Sequence, residues 1–424
     1  MFDIDRWNEI ISALNKNKLR SFLTAFGVFW GIFMLVLMAG MGKGLENGIM
    51  HGVGKAAKNS AFMWTDNTSK PYKGFNRGRT WNFDNNDATY ILQNVSEIEN
   101  LSPRLFGGSR MGGNNTVRGH RSGSFRLKGD YPDYINIEPV TPIMGRYLNN
   151  IDIQEKRKIC VIGEKVQSQM FNAGENPIGQ YLKISGIYFQ IVGVVHPETN
   201  ININGRTEES IFLPFTTMQQ VYNLGNEIHL FCFTSKKGIP VSIAEAKMMK
   251  ILRERHKVDP TDEQAVAHIN LEKQLQQFNM LFLGISVLVW IVGIGTLLAG
   301  VIGVSNIMLV IVKERTQEIG VMRAIGATPR KIMSQIVAES VFLTTLAGFL
   351  GLAFAVGILA LVSKALEPAT QNPENNVFII DPGISLHLAL AALLILILSG
   401  IFAGMIPAHR ALKMKTIDAL RDEI

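Results

Sequence analysis

The sequence predicts an α-helical membrane protein with four transmembrane helices and one large α+β domain on a single side of the bilayer. Three observations predict it. Runs without a formal charge cover residues 21–42, 274–312 and 340–363, and a fourth, 384–406, holds only His387 as a titratable group. About 20 apolar residues are enough to cross a bilayer as a helix. Between the first two runs lies a polar segment of 231 residues, 43–273, where short strand-like runs alternate with helical periodicity. Lys and Arg gather at one end of the apolar runs, at Lys16, Lys18 and Arg20, at Lys313–Lys331, and at Arg410, Lys413, Lys415 and Arg421. Short basic segments stay in the cytoplasm. Both termini and 313–334 are therefore expected inside, and 43–273 outside.

Residues 1–20 place Ile4, Trp7, Ile10, Ile11 and Leu14 on one helical face, which suits an amphipathic helix on the inner membrane surface. The run 21–42 exceeds the apolar core of a signal peptide and reads as an uncleaved first membrane helix. In the outer segment, Ala61–Thr65 reads as a strand and Asp84–Asn94 as a helix with an Asp/Asn-rich start. Between them, 66–82 is rich in Asn, Gly, Lys and Arg, and reads either as a mobile surface excursion or as a docking element. From Gly119 the texture is strand-rich: Lys158–Gly163, a helix Glu164–Phe171, a hairpin of Tyr181–Ile184 and Ile187–Val195 around Ser185-Gly186, then Glu209–Pro214 and Glu227–Thr234. Val241–His256 is an amphipathic helix with Ala244, Met248, Ile251 and Leu252 on one face, and Ala265–Ile269 closes the segment as a strand. Cys160 and Cys232 could pair in an extracytoplasmic segment, but each sits in a strand-like apolar run, and two buried free thiols are the plainer reading.

The second run, 274–312, would measure about 58 Å as a helix, against a hydrocarbon core of about 30 Å. The excess is expected to project outward as a stalk, with Gly293, Gly295, Gly300 and Gly303 as candidates for close helix contact. The third membrane helix is expected at 335–363, an outer loop at 364–383, the fourth helix at 384–408 and a cytoplasmic tail at 409–424.

The charged island between the second and third runs has its own periodicity. Ile319, Met322 and Ile325 recur at helical spacing, one turn after Arg315 and Glu318, and share a face with no expected partner within so short a loop. Gly326 can stop such a helix, and Thr328-Pro329 can start the next. On these grounds alone the island is either a plain positive-inside loop or a short docking helix.

The nineteen residues E-R-T-Q-E-I-G-V-M-R-A-I-G-A-T-P-R-K-I, from Glu314 to Ile332, resemble the cytoplasmic loop of the MacB/FtsX-type ABC transporter permeases. The resemblance extends to W-N-E-I-I-S-A-L-N-K-N-K-L-R-S-F-L-T-A-F-G-V-F-W-G near the N-terminus and to G-M-I-P-A-H-R-A-L-K-M-K-T-I-D-A-L-R near the C-terminus, where Thr416 replaces the family's usual Pro. L-K-G-D-Y-P-D-Y, G-R-Y-L, C-V-I-G-E-K, F-N-A-G-E-N-P-I-G-Q and F-Q-I-V-G-V-V resemble, in this order, the Sabre-like insertion of MacB-type periplasmic domains. The resemblance implies a Porter-like subdomain at 58–118 and 227–272, a Sabre-like insertion at 119–226, and a coupling helix that docks on a separate ABC ATP-binding subunit. The docking residues it implies are Glu314, Arg315, Glu318, Ile319, Gly320, Met322, Arg323, Ile325 and Gly326. It further implies a homodimer in the bacterial inner membrane, mechanotransmission to the periplasm, and ATP with Mg on the partner ATPase rather than on this chain. A periplasmic adaptor and an outer-membrane channel are the further partners it admits. Lipoprotein release of the LolC/LolE kind and FtsX-like signalling to a periplasmic hydrolase are the alternatives within the family.

Several chemistries find no motif. No G-x-x-x-x-G-K-[ST] loop occurs, so ATP hydrolysis is not expected of these residues. The histidines lack metal-ligand spacing, and neither G-x-S-x-G nor H-E-x-x-H is present. No charge pair falls in the middle of a membrane run, which disfavours an ion-coupled carrier. The net charge of +7 lies largely beside the membrane runs, so no nucleic-acid partner is expected.

Overall fold

The computed structural model describes residues 18–107, 114–200, 203–370 and 379–413. The expected amphipathic helix around Trp7 and the tail with Lys415, Thr416 and Arg421 lie outside the described residues. The chain divides into two compact units, 1–49 with 280–424, and 50–279.

The first unit is built from helices α1 (Lys18–Val53), α7 (Leu271–Glu314), α8 (Thr316–Ala324), α9 (Pro329–Thr370) and α10 (Leu386–Lys413), with α1 and α7 each running on into the second unit. Four of these are long and apolar enough to cross a membrane, with mean hydropathies of 2.0 to 2.6. Val28, Ile32, Leu35, Leu297, Val304, Met308, Ile336, Leu359, Leu396 and Ala403 form their shared core. Small residues let the helices touch at backbone level, as expected where lipid supplies no hydrophobic drive between helices. A Cβ on Gly31 would stand 3.3 Å from the backbone nitrogen of Leu297, and one on Gly404 would stand 2.8 Å from Ser340 Oγ. Gly293 and Gly300 meet Leu35 and Val28 of the same chain, so these two glycines are used within the protomer, while Gly295 faces open space. The second membrane run is one unbroken helix of 44 residues, about 66 Å long.

The second unit holds two connected sheets and a separate two-stranded ribbon of β2 (Phe83–Asp84) with β11 (Glu227–Ile228). Strands β1 (Ser60–Thr65), β3 (Ile98–Gly107), β12 (Leu230–Ser235) and β13 (Val266–Asn270) pair antiparallel in the order β13-β1-β12-β3. Helix α2 (Asn85–Asn94) connects β1 to β3, and α6 (Val241–Arg255) connects β12 to β13. These are two interleaved β-α-β halves, the split arrangement known from ferredoxin-like folds. Asp84 caps α2 in a reciprocal box with Asp87. Val241, Ala244, Met248 and Leu252 form the buried stripe of α6, and they meet Ala61, Met63, Phe231 and Phe233 of the sheet.

The second sheet is inserted between the two halves, with the short helices α3 (Asn150–Gln154), α4 (Glu164–Met170) and α5 (Phe215–Val221) among its strands. Its strands are β4 (Asn114–Arg118), β5 (Arg121–Asp130), β7 (Ile159–Gly163), β8 (Tyr181–Ile184), β9 (Ile187–Pro197) and β10 (Ser210–Pro214), with β6 (Val140–Gly145) added on β9. The order β10-β7-β9-β8-β4-β5 returns on itself, because β10 also pairs parallel with β5. Six strands thus close into a small barrel. Its inward positions alternate with period two: Phe125 and Leu127, Cys160 and Ile162, Leu182 and Ile184, Phe189 and Ile191, Ile211 and Leu213. Cys160 and Cys232 are both buried and free, as the sequence predicts.

One boundary is corrected. Strand 114–118 was expected in the Porter-like part, 58–118, yet it pairs with β5 and β8 of the barrel. The insertion therefore starts before residue 119. Strand β3 serves both sheets, since Ile98–Arg104 pair with β12 while Leu105–Gly107 pair with β5.

Candidate functional site

The island between α7 and α9 folds into a defined corner. Helix α7 ends at Glu314, and Arg315, with φ −95° and ψ 15°, turns the chain into α8. The exit from α8 is a Schellman motif: Gly326 at φ +99° lets its N–H reach Arg323 O at 3.1 Å while Ala327 N–H reaches Met322 O at 2.9 Å. Pro329 then opens α9, where its missing N–H costs no helical bond.

Side chains tie this corner to the membrane helices. Arg315 donates to Glu318 at 2.8 Å and to Glu339 of α9 at 3.1 Å. Arg323 donates to the Leu412 carbonyl of α10 at 3.2 Å. Thr316 Oγ1 donates back to Lys313 O at 2.6 Å. The corner is therefore braced against α7, α9 and α10 by its own residues.

Of the nine residues predicted for docking, all lie in this corner, but not on one surface. The expectation that Ile319, Met322 and Ile325 form a shared unpartnered face is corrected. Ile319 is 7% exposed and belongs to the core of the membrane unit, Met322 packs on the same core, and Gly320 is buried. Helix α8 is short and amphipathic, and its apolar stripe is taken up by its own protomer. The outward surface instead carries Lys313, Glu314, Gln317, Glu318, Val321, Ile325 and Gly326, continued by Arg330 and Lys331 at the start of α9. Ile325 is 81% exposed and Val321 44%. Sequence periodicity finds the helix but not Val321, because only the packed partner tells which of two apolar sides of a short helix is taken.

A second arrangement was not found from the sequence at all. Arg104 lies where β3 passes from one sheet to the other, and it is fully buried. Its guanidinium donates to both oxygens of Asp130, at 2.6 and 2.7 Å, and to Glu138 at 3.2 Å, and it stacks 3.5 Å from the ring centre of Tyr134. Glu138 also accepts from Tyr134 Oη at 2.8 Å and Thr207 Oγ1 at 2.7 Å. Lys128, also fully buried, donates to Gly205 O at 2.9 Å. Burial pushes the Glu138 carboxyl up, but Lys128 and Arg104 beside it, with its hydrogen bonds, hold it below the ordinary glutamate value. Burial pushes the Lys128 ammonium down to about 8. Two buried cations face two buried anions, and the set locks the strand crossing between the sheets. Lys128 and Asp130 take the polar positions that alternate with Phe125 and Leu127, so the sequence pattern alone reads them as a solvent face.

Residues 66–82 are an ordered hairpin. Tyr72 and Phe75 exchange backbone hydrogen bonds of 3.1 and 3.0 Å around Lys73 and Gly74, both at positive φ, 45° and 88°. This is the type I′ turn of two-residue hairpins. The base is clamped by buried Asp262, which accepts from Ser69 N at 2.7 Å, Ser69 Oγ at 2.7 Å and Lys70 N at 3.1 Å. Arg79 donates to His256 O at 2.6 Å. These contacts tie the base of the segment to Asp262 and to the end of α6. Among the described residues, carboxylates of Asp84 and Asp87 and a ring nitrogen of His256 also come within 4.8 Å of one another. Asp87 there is engaged by Arg255 at 2.7 Å and by His256 at 2.6 Å, which makes the group an ion-paired helix cap.

Four membrane-capable helices, an α+β domain between the first two, and a braced helical corner between the second and third define a class of membrane protein with a large domain on one side. The sequence matches the MacB-like periplasmic core domain over residues 21–251 and the FtsX-like permease C-terminal domain over residues 290–416. The chain belongs to the MacB-like, FtsX-type permease family of ABC transporters. It is 30% identical over 339 residues to the macrolide export ATP-binding/permease protein MacB of Bdellovibrio bacteriovorus, with 80% of this chain and 49% of that one covered. It is 30% identical over 337 residues to the pyoverdine export ATP-binding/permease protein PvdT of Pseudomonas entomophila, covering 78% and 48%. The chain thus spans about half the length of the curated relatives it matches. The crystal structure of the periplasmic region of MacB from Actinobacillus actinomycetemcomitans aligns at a TM-score of 0.43 and 20% identity, over 56% of this chain and 98% of that one.

Proposed function

We propose that this chain is the membrane subunit of an ABC exporter in a bacterial inner membrane, working as a homodimer with a separate ATP-binding subunit. In this reading it passes ATP-driven movement to its periplasmic domain and conducts no substrate along its helices. The observation that carries the reading is the bracing of α8. A force applied to the exposed Val321 and Ile325 surface is carried by Arg315 to Glu339 of α9 and by Arg323 to α10, while the short turn at Arg315 joins α8 to α7. Helix α7 is continuous to Leu271, the residue after β13. A push on the corner therefore moves the helix that leads directly into the domain's sheet.

ATP and Mg are held by the partner, and this chain binds no cofactor. The names of the relatives, macrolide export and pyoverdine export, support export as the direction of transport. A periplasmic adaptor and an outer-membrane channel complete the path. The test is ATP turnover by the purified ATP-binding subunit, alone and with this chain in nanodiscs. The proposal expects no turnover from this chain alone and a severalfold rise when the two are combined. It expects Arg315→Ala to lower that rise while leaving the complex assembled. Turnover by this chain alone, or no change on mixing, would overturn it.

A further inference from the structure

The hairpin 66–82 is not absorbed by this function. It carries Lys70, Lys73, Arg77 and Arg79 with no acid between residues 67 and 82. Lys73 and Arg77 are exposed, and so is Phe75, at 42%. The Arg79 guanidinium stacks 4.1 Å from the ring centre of Phe75, and Lys73 lies 5.3 Å from that of Tyr72. The type I′ turn and the Asp262 clamp fix this tip in one shape without help from a partner. Preorganised aromatic and Arg groups of this kind are what protein interfaces favour, because little ordering entropy remains to be lost on binding.

We infer that the hairpin is a docking tip for a soluble protein that presents an acidic face. The sign of the charge selects an acidic partner. Aromatic rings stacked with basic groups, as Phe75 with Arg79 and Tyr72 with Lys73, suit a protein face rather than a membrane surface. Thr65 pairs with Val266 at the hairpin end of β1, whereas Ala61 pairs with Asn270 at the other end, beside residues 53–59 and 271 that lead to the membrane helices. The hairpin thus leaves the sheet at the end remote from those residues. This inference rests on the periplasmic placement of the domain in the proposed function, and impermeant thiol labelling of Asn76→Cys in intact spheroplasts decides that placement separately.

The test places p-benzoylphenylalanine at position 75 of the full chain in cells and identifies the photo-adduct by mass spectrometry. The protein so identified is then purified and titrated against the full chain in nanodiscs. The expected adduct is a soluble periplasmic protein. Its dissociation constant should rise at least tenfold with Lys70→Glu, Lys73→Glu and Arg77→Glu combined, and the difference should shrink as salt is raised. Lys236→Glu with Lys237→Glu, a reversal at another exposed basic pair, should change it less than twofold. Gly74→Val keeps every charge but disfavours the turn, and it should also weaken binding. Adducts only with lipid or with a second copy of this chain, no adduct at all, or a triple reversal within twofold of wild type would overturn the inference.

Discussion

Replacing Arg104 by Met removes the cation that holds the strand crossing together while keeping much of its volume. In the wild type the guanidinium makes three charge-assisted bonds, at 2.6, 2.7 and 3.2 Å, in a fully buried site. After Arg104→Met, Asp130 and Glu138 share only Lys128 as a buried cation. Removing one partner of a buried ion pair costs about 3–5 kcal/mol. At about 1.4 kcal/mol per tenfold, local opening becomes roughly a hundred- to several-thousand-fold more frequent. Hydrogen–deuterium exchange of the full chain should report this as lost protection in peptides covering 98–107 and 125–131, with the membrane helices unchanged. Adding Asp130→Asn restores a matched pair, Lys128 with Glu138, and should recover more than half of the loss. A protection loss below about 1 kcal/mol for Arg104→Met, or no recovery in the double variant, would refute the assignment of this cluster as the lock of the crossing.

Two further outcomes follow from the same geometry. Burial raises the carboxyls of Asp87 and Asp262, but hydrogen bonds from His256 and Arg255, and from Ser69 and Lys70, win and leave both below the ordinary aspartate value. The folded protein then holds fewer protons than the unfolded chain around pH 4, so stability rises with pH there and is lost as pH falls through the depressed values. Thermal unfolding of the full chain between pH 7 and 3 should show a falling midpoint below about pH 4, and a flat profile would contradict it. Gly326→Val forces a branched side chain onto φ +99°, with nothing within 4 Å to clash, so the cost is backbone strain of about 1–3 kcal/mol. Exchange should accelerate at 322–332 and nowhere else, and an unchanged rate would remove the Schellman motif from the account.

Much of this fold is legible in the sequence because the forces involved are local. The four membrane helices follow from charge-free length. The α2 cap follows from Asp84 and Asp87, the 181–195 hairpin from Ser185-Gly186, and the α8 stop from Gly326. What stays hidden depends on partners far apart in the chain. The parallel pairing of Ser210–Pro214 with Arg126–Asp130 closes the barrel across some 80 residues, and no periodicity announces it. Arg104 reads as an ordinary surface residue until Asp130 and Glu138 are brought to it. In the candidate site, Gly326 marks where α8 stops, but Ile319 and Val321 exchange roles once the core of the membrane unit claims one side of the helix.

The central claim is that the outer surface of α8 receives the ATP-binding subunit. Val321→Asp with Ile325→Asp alters only exposed side chains, and burying each at an interface is worth about 1.5–3 kcal/mol. The most direct measurement is co-purification of the ATP-binding subunit with the full chain in detergent, beside the amount of chain in the membrane. The account predicts normal membrane levels and at least a tenfold loss of the bound subunit for the double variant, with Ile319→Asp instead lowering the membrane level because that side chain is core. Wild-type recovery of the ATP-binding subunit with Val321→Asp and Ile325→Asp together would contradict it.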